Sequence, residues 1–320
     1  MSKKAMHFSI VVLLLLVAIG YAATTGSIEM GFFEFFTHLF TEDSRMEAIR
    51  DLRFPRIIVA LFAGAALSVS GVLLQSVMRN PLADAGVIGI SAGASFMKLF
   101  IISVVPTLFF FTPLFAFLGG ALACFLVFAL SWKSGLNPLK LILVGIAVNA
   151  VFTGLTEAFI SLGGSLNVAA TSVVGSNLTM RTWDDVIVIA SYGMIGLLAA
   201  FAMYHWCNLL VLQDKTAKSL GFNVARARLM IAAIAVLLAA ISVVVAGVIA
   251  FVGLLVPHIA RRLVGYDHKI LIPYTALAGA LLILVADTIG RTILPPLEIP
   301  ASTIMAIIGG PFLIFLLRKE

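Results

Sequence analysis

The sequence predicts an all-α, polytopic membrane protein with about ten transmembrane helices and cytosolic N- and C-termini. Three observations predict it. Of 320 residues, 62% are hydrophobic and only 11% are charged, with a mean hydropathy of +1.14; an ordinary soluble domain carries roughly 25% charge. The apolar runs are long and unbroken rather than alternating, which favours helices over a closed barrel. Lysine and arginine gather between alternate runs, as expected when one side faces the cytosol.

Crossing the hydrocarbon takes about 20 apolar residues in a helix, because backbone groups cannot stay unpaired in lipid. Ten runs fit, at 6–24, 57–78, 88–105, 112–131, 140–161, 184–206, 229–247, 249–265, 271–291 and 301–317. The first follows Lys3 and Lys4 and ends in small residues. It reads as a retained span, since its removal as a signal peptide would reverse the charge pattern downstream. An outer loop at 25–56 carries Glu29, Glu34, Glu42, Asp43, Glu47 and Asp51 ahead of its arginines. Its Phe-rich piece, residues 31–38, suits the membrane interface.

After the second run, Met78-Arg-Asn-Pro-Leu-Ala-Asp84 reads as a tight inner turn, because Pro81 forbids a continuous helix. Gly64 with Ser68, and Gly89 with Gly93, have the spacing that lets helix backbones approach closely. We read them as packing within the chain. The outer loop at 162–183 is polar enough to fold over a cavity mouth. Pro257 is expected to kink the eighth run, and Arg261 and Arg262 anchor its inner end. His258 reads as a structural polar contact rather than a ligand. The whole chain, 1–320, reads as a single transmembrane domain with no soluble domain at either end.

With the N-terminus inside, fourteen of the 21 basic residues fall on the inner side. Arg45, Arg50, Arg53, Arg56, Arg181 and Arg291 fall outside, and Lys98 lies within a run. The net charge of +6 is thus mainly a topology signal. No basic soluble face exists for nucleic acid.

The chain lacks a GxxxxGK[ST] phosphate loop and an HExxH, and no catalytic residues are assigned. Cys124 and Cys207 belong to no metal set. Uphill transport would draw on an ion gradient or a partner ATPase. Ion coupling usually needs ionisable groups deep in the spans. Lys98, Glu157 and Asp287 are the few candidates, and snorkelling or a cavity-facing hydrogen bond explains each.

The most telling segment is the polar interruption 213–228 between two apolar runs. Asp214 is expected to cap a short helix. Ala217, Lys218, Ser219 and Leu220 continue it, and Gly221 ends it. A second short turn, Val224 to Arg228, leads back to the membrane. The result is a compact cytosolic knob.

Several motifs stand in a fixed order. They are Arg53-Phe-Pro-Arg56 leading into residues 64–71; Gln75 with Asn80-Pro-Leu-Ala-Asp84 and Gly89-Ile-Ser-Ala-Gly93; Ala217-Lys-Ser-Leu-Gly221; and residues 251–261. Ala286-Asp287 with Arg291, and Gly309-Gly-Pro311, complete the set. The chain resembles FecCD-type permeases, membrane subunits of ABC importers for iron-siderophores, haem and vitamin B12. The resemblance covers nearly the whole chain.

It implies ten spans and assembly with a second permease copy, as a homodimer or a paralogous heterodimer. It also implies two cytosolic ABC ATPases, an extracellular or periplasmic substrate-binding protein, and surrounding membrane lipid. No cofactor is expected on this chain; ATP and Mg belong to the ATPase. By the same resemblance, Asp214, Lys215, Ala217, Lys218, Ser219, Leu220, Gly221, Phe222, Asn223 and Val224 match the coupling segment that sits on the ATPase. Arg53, Arg56 and Arg291 match arginines that hold the binding protein. Asn80 and Leu82 match a cytosolic gate, and Pro257, His258 and Asp287 are structural or pathway candidates. Asn137-Pro138-Leu139 departs from the vitamin B12 version, which has small hydroxyl residues at the gate there. The turn 295–301 and the Gly309-Gly310-Pro311 ending look most like Gram-positive haem/iron permeases. A vitamin B12 permease and an ion-gradient transporter are the alternatives.

Overall fold

The computed structural model describes residues 3–25, 44–131, 138–162, 178–294 and 297–318. Within them the chain is helical: α1 (Lys3–Thr24), α2 (Ser44–Met78), α3 (Ile90–Val104), α4 (Thr112–Ser131), α5 (Pro138–Leu162), α6 (Trp183–Ala202), α7 (Tyr204–Leu210), α8 (Asp214–Ser219), α9 (Val224–Ala246), α10 (Val252–Val264), α11 (His268–Thr292) and α12 (Ala301–Leu317). Each of the ten apolar runs contains a helix. Seven helices are long and apolar enough to cross a bilayer by themselves. The run at 88–105 is shortened to the 15 residues of α3, with a 3₁₀ turn at Pro106–Phe111 leading into α4.

Two boundaries differ from the sequence reading. Residues 44–56 are not loop but the opening turns of the 35-residue α2, with Pro55 inside the helix. Val224–Arg228 is no separate turn; it begins α9, which runs unbroken to Ala246. Residues 26–43 and 163–177, and Asn137 at the gate departure, lie outside the described residues, as do the side chains of Pro138 and Leu139. The division near Gly247 is a real break. Gly247 (φ 77°) and Phe251 (φ 68°) both take left-handed backbone around it.

α2 is the hub. Over its membrane stretch 83% of the residues are buried, whereas α1 shows Leu13, Leu16 and Val17 at about 60% exposure to what would be lipid. Two apolar clusters stack along α2. One gathers Val72, Leu73 and Val77 with α9, α10 and α11; the other gathers Ile57, Ala60 and Leu67 with α6, α9 and α11.

Water is scarce at this depth, so attraction between helices depends on close packing rather than on hydrophobic burial. Glycine supplies it. A methyl group at Gly64 would strike the Gly279 carbonyl, one at Gly71 would strike Gly253, and one at Gly93 would strike Gly119. These pairs clamp α2 to α11, α2 to α10 and α3 to α4, all within one chain. Ser68 adds a bond across the first crossing, donating to the Thr275 carbonyl at 3.0 Å while also serving Gly64 at 2.7 Å.

Gly71→Leu should therefore drive α2 from α10 and cost about 1–3 kcal/mol or more. Gly154→Ala should cost nothing, since no atom lies within 4 Å of the added carbon. Thermal unfolding of the detergent-solubilised protein checks the pair. Equal melting of both variants would remove the close-approach argument.

Candidate functional site

Polar groups concentrate at the two ends of the apolar stretch of α2. Arg56 and Arg79 stand 23 residues apart in the sequence, or about 35 Å along a helix. That matches the hydrocarbon thickness of about 30 Å.

At the Arg79 end, α8 projects as a knob. Its closing turn follows from the sequence: Gly221 takes φ 77°, Phe222 donates to the Ala217 carbonyl at 3.1 Å, and Gly221 donates to the Lys218 carbonyl at 2.9 Å. This pair of bonds is the glycine-terminated Schellman stop. Asn223 then caps α9, accepting from the Arg226 amide at 3.0 Å. Ala217 is fully buried and seats the helix. Lys215, Lys218, Ser219, Gly221 and Asn223 are exposed, and Leu220 is 66% exposed. The Phe222 ring meets Trp206 of α7 edge-on at 6.1 Å, and Val224 is buried beneath it.

Asp214 does not cap α8 as expected. Gln213 occupies the cap position without a side-chain bond. The Asp214 carboxylate instead receives Arg79 at 2.6 Å and Arg228 at 3.0 Å.

The turn after α2 lies beside the knob. Asn80 is buried, and its Oδ1 accepts the Leu82 amide at 2.9 Å. Asp84 is buried too, and its carboxyl accepts from the backbone amides of Ala85 and Gly86. Beyond the turn opens a cavity of about 420 Å³ lined by Asp84, Ser91, Ser95, Asn149, Thr153 and Phe251. The Phe251 ring lies on Gly309 of α12, where no side chain larger than hydrogen fits.

A polar network fastens the same end. Gln75 donates to the Gly253 carbonyl at 3.0 Å and accepts from Arg261. Ser76 and His268 Nε2 lie 2.7 Å apart, and Asn208 joins His268 to Asp267. The Asn208 amide and the Lys269 backbone N–H hold the Asp267 carboxyl below its ordinary value.

At the opposite end, Arg56 is buried at 8% exposure, not presented at a rim. Its fork takes Asp287 with two bonds of 2.8 Å and Glu298 with bonds of 3.0 and 3.1 Å. Burial works against the charged form of Glu298, but the Thr179 hydroxyl and Arg56 outweigh it and keep that carboxyl below the usual range. The Glu298 contribution is therefore present above the ordinary glutamate pKa and fades only as pH falls through the lowered value. Arg53 is buried and donates to the Ala23 carbonyl at 2.8 Å; Arg291 donates to the Ala22 carbonyl. Among the described residues no carboxylate forms an ion pair with Arg291.

The structure thus brings Arg53, Arg56, Arg291 and Asp287 together at one end, and Asn80, Leu82 and the 214–224 segment at the other. Pro257 is buried within α10. His258 meets the Phe312 ring edge-on at 5.8 Å, a packing contact. Sequence reasoning missed Glu298 and Arg79 as partners. For Glu298 the signal was a lone acidic residue in a proline-rich turn facing an arginine excess. No group of metal-binding side chains is present among the described residues.

Known proteins match this chain over nearly its whole length. The FecCD transport family matches residues 13–319. The probable heme-iron transport system permease protein IsdF of Staphylococcus aureus strain RF122 is 40% identical over 321 aligned positions, covering 100% of this chain and 97% of the relative. The same protein of strain Newman aligns equally well. A solved protein assigned to the metal-chelate type of ABC transporter, in an inward-facing conformation, superposes with a TM-score of 0.84 at 29% identity, covering 99% of both chains. PsaBC from Streptococcus pneumoniae shares the fold at TM-score 0.64 and 16% identity, over 89% of this chain and 95% of that one. The chain belongs to the FecCD transport family, and is a multi-pass membrane permease of a bacterial ABC importer, a transport subunit rather than an enzyme.

Proposed function

We propose that this permease carries an iron chelate, haem in the first place, across the bacterial cytoplasmic membrane, working as a pair of copies with two ATPases and an external binding protein. The haem reading rests on full-length similarity at 40% identity to a permease named for heme-iron transport. The energy source rests on the exposed α8 knob in a chain without a phosphate loop. Ten membrane-embedded segments, with the α8 end and both termini cytosolic, agree with the lysine and arginine bias.

In this reading Asp214–Val224 seats on the ATPase, with Leu220 as its apolar anchor and Lys215 and Lys218 flanking it. Asn80 and Leu82 form the gate beside the cavity. ATP-driven closure of the ATPases displaces α8, and access to the path between the copies switches. A coupling of this kind needs an element that both sites bias.

The arginine end receives the binding protein. Arg291 has charge to offer an external carboxylate. Arg53 and Arg56 serve differently from the sequence expectation: their guanidinium groups are buried and held by the chain itself. Charge pairing there suits orientation and on-rate.

Gly221→Pro should leave the protein inserted and bound to ATPase but lower uptake per ATP by about tenfold or more; unchanged uptake per ATP in the reconstituted transporter would count against coupling through α8. Arg291→Glu should weaken binding-protein docking about tenfold at low ionic strength, with the deficit shrinking as salt screens it. Equal docking at low salt removes that role. Arg56→Gln should instead lower thermal stability by about 3 kcal/mol, because it strands buried Asp287. A melting curve like the parent's would show that the triad is not structural.

A further inference from the structure

One guanidinium joins the knob to the gate turn. Arg79 is the first residue after α2 and immediately precedes Asn80. Its Nε donates to the Leu210 carbonyl at 2.7 Å, and its NH2 reaches both the Leu212 carbonyl and Asp214 Oδ1, the latter at 2.6 Å. The three acceptors run from the last residue of α7, through the short link, to the first residue of α8. The arginine therefore closes the carboxyl end of α7, where free carbonyls favour a cation, and grips the first residue of α8 with the same planar group.

Its backbone is as unusual as its partners. Arg79 has φ 48°, a left-handed conformation that costs a side-chain-bearing residue roughly 1–2 kcal/mol. Such a conformation persists only where the surroundings over-determine it. Here the guanidinium is fixed on one side, and on the other the Asn80 amide is fixed to the Gln75 carbonyl at 3.2 Å. The next bonds are those of the turn itself: Leu82 to Asn80 Oδ1, and Ala83 to the Asn80 carbonyl at 3.1 Å. A shift of the α7–α8 link thus acts on Arg79, whose φ 48° backbone leads directly into the Asn80–Leu82 turn.

We infer that Arg79 is the positioning residue that transmits displacement of α8 to the gate turn, by clamping Leu210, Leu212 and Asp214 at once. The inference rests on the coupling role proposed for α8. It does not depend on the ion pair being strong, since exposed pairs contribute about 0–1 kcal/mol. It depends on the fork, which fixes direction. Lysine offers one point charge and cannot reproduce it. Arg228, the second partner of Asp214, sits on α9 and steadies the knob from the other side.

The test uses the complete transporter in lipid, with two permease copies, ATPases and binding protein. One sample carries a fluorophore at Lys218→Cys, and a second carries Leu82→Cys for thiol modification; the native Cys124 and Cys207 are buried. Nucleotide should change the signal at 218 in both the parent and Arg79→Gln. The modification rate at 82 should respond to nucleotide by about tenfold in the parent and by less than roughly twofold in Arg79→Gln. Arg79→Lys should behave as Arg79→Gln does, and Asp214→Asn provides the same reading from the other partner. An undiminished response at 82 in the arginine variants overturns the role of Arg79 while leaving α8 coupling intact. A silent position 218 in the parent brings down the coupling role and this inference together.

Discussion

Everything in this molecule hangs on the backbone contact of α2 with α10 and α11. At Gly64 and Gly71 the helix has no side chain, and its neighbours answer with Gly279 and Gly253. In lipid such contact is a main source of cohesion, because burying apolar surface away from other apolar surface gains little. Small residues at a crossing leave no room for slack, so α2, α10 and α11 behave as one rod cluster. Gly253 does a second job: it crowds Asp84 and accepts from Gln75. The crossing that holds the helices therefore also positions the start of the cavity.

From that cluster the two ends acquire their different chemistry. The Arg56 end is closed by an internal triad in which one guanidinium satisfies two carboxylates. A buried charge without partners would be costly, and removing either partner is worse than never having had the pair. Asp287 is thereby explained without any proton traffic. The Arg79 end stays exposed, with lysines and Leu220 outward and bonds to the α7–α8 link inward. One helix thus carries an end whose charges pair inside the chain and an end that holds lysines and Leu220 outward.

Much of this was legible in the sequence because its causes are local. Unbroken apolar runs, glycines at helix spacing, Pro81 after a span and Gly221 after a short helix each report a nearby backbone state. What was not legible depends on distance in the chain. Arg56 and Asp287 are 231 residues apart, so an arginine near a span end reads as an interface anchor until its partner is seen. Asp214 looked like a cap, since Asp before a short helix usually is one; two arginines, one just after α2 and one in α9, take the same oxygen instead. The length of α2 was also hidden, because residues 44–56 are charged and read as loop, although charge at a helix opening is no obstacle once the helix leaves the lipid.

Import through this permease is driven by a partner ATPase and not by an ion gradient. Its most direct test is haem uptake into proteoliposomes holding the purified permease, first alone under an imposed proton or sodium gradient, then with its ATPases, binding protein and internal or external ATP as orientation requires. No accumulation is expected in the first case and ATP-dependent accumulation in the second. Gradient-driven accumulation by the permease alone would contradict it.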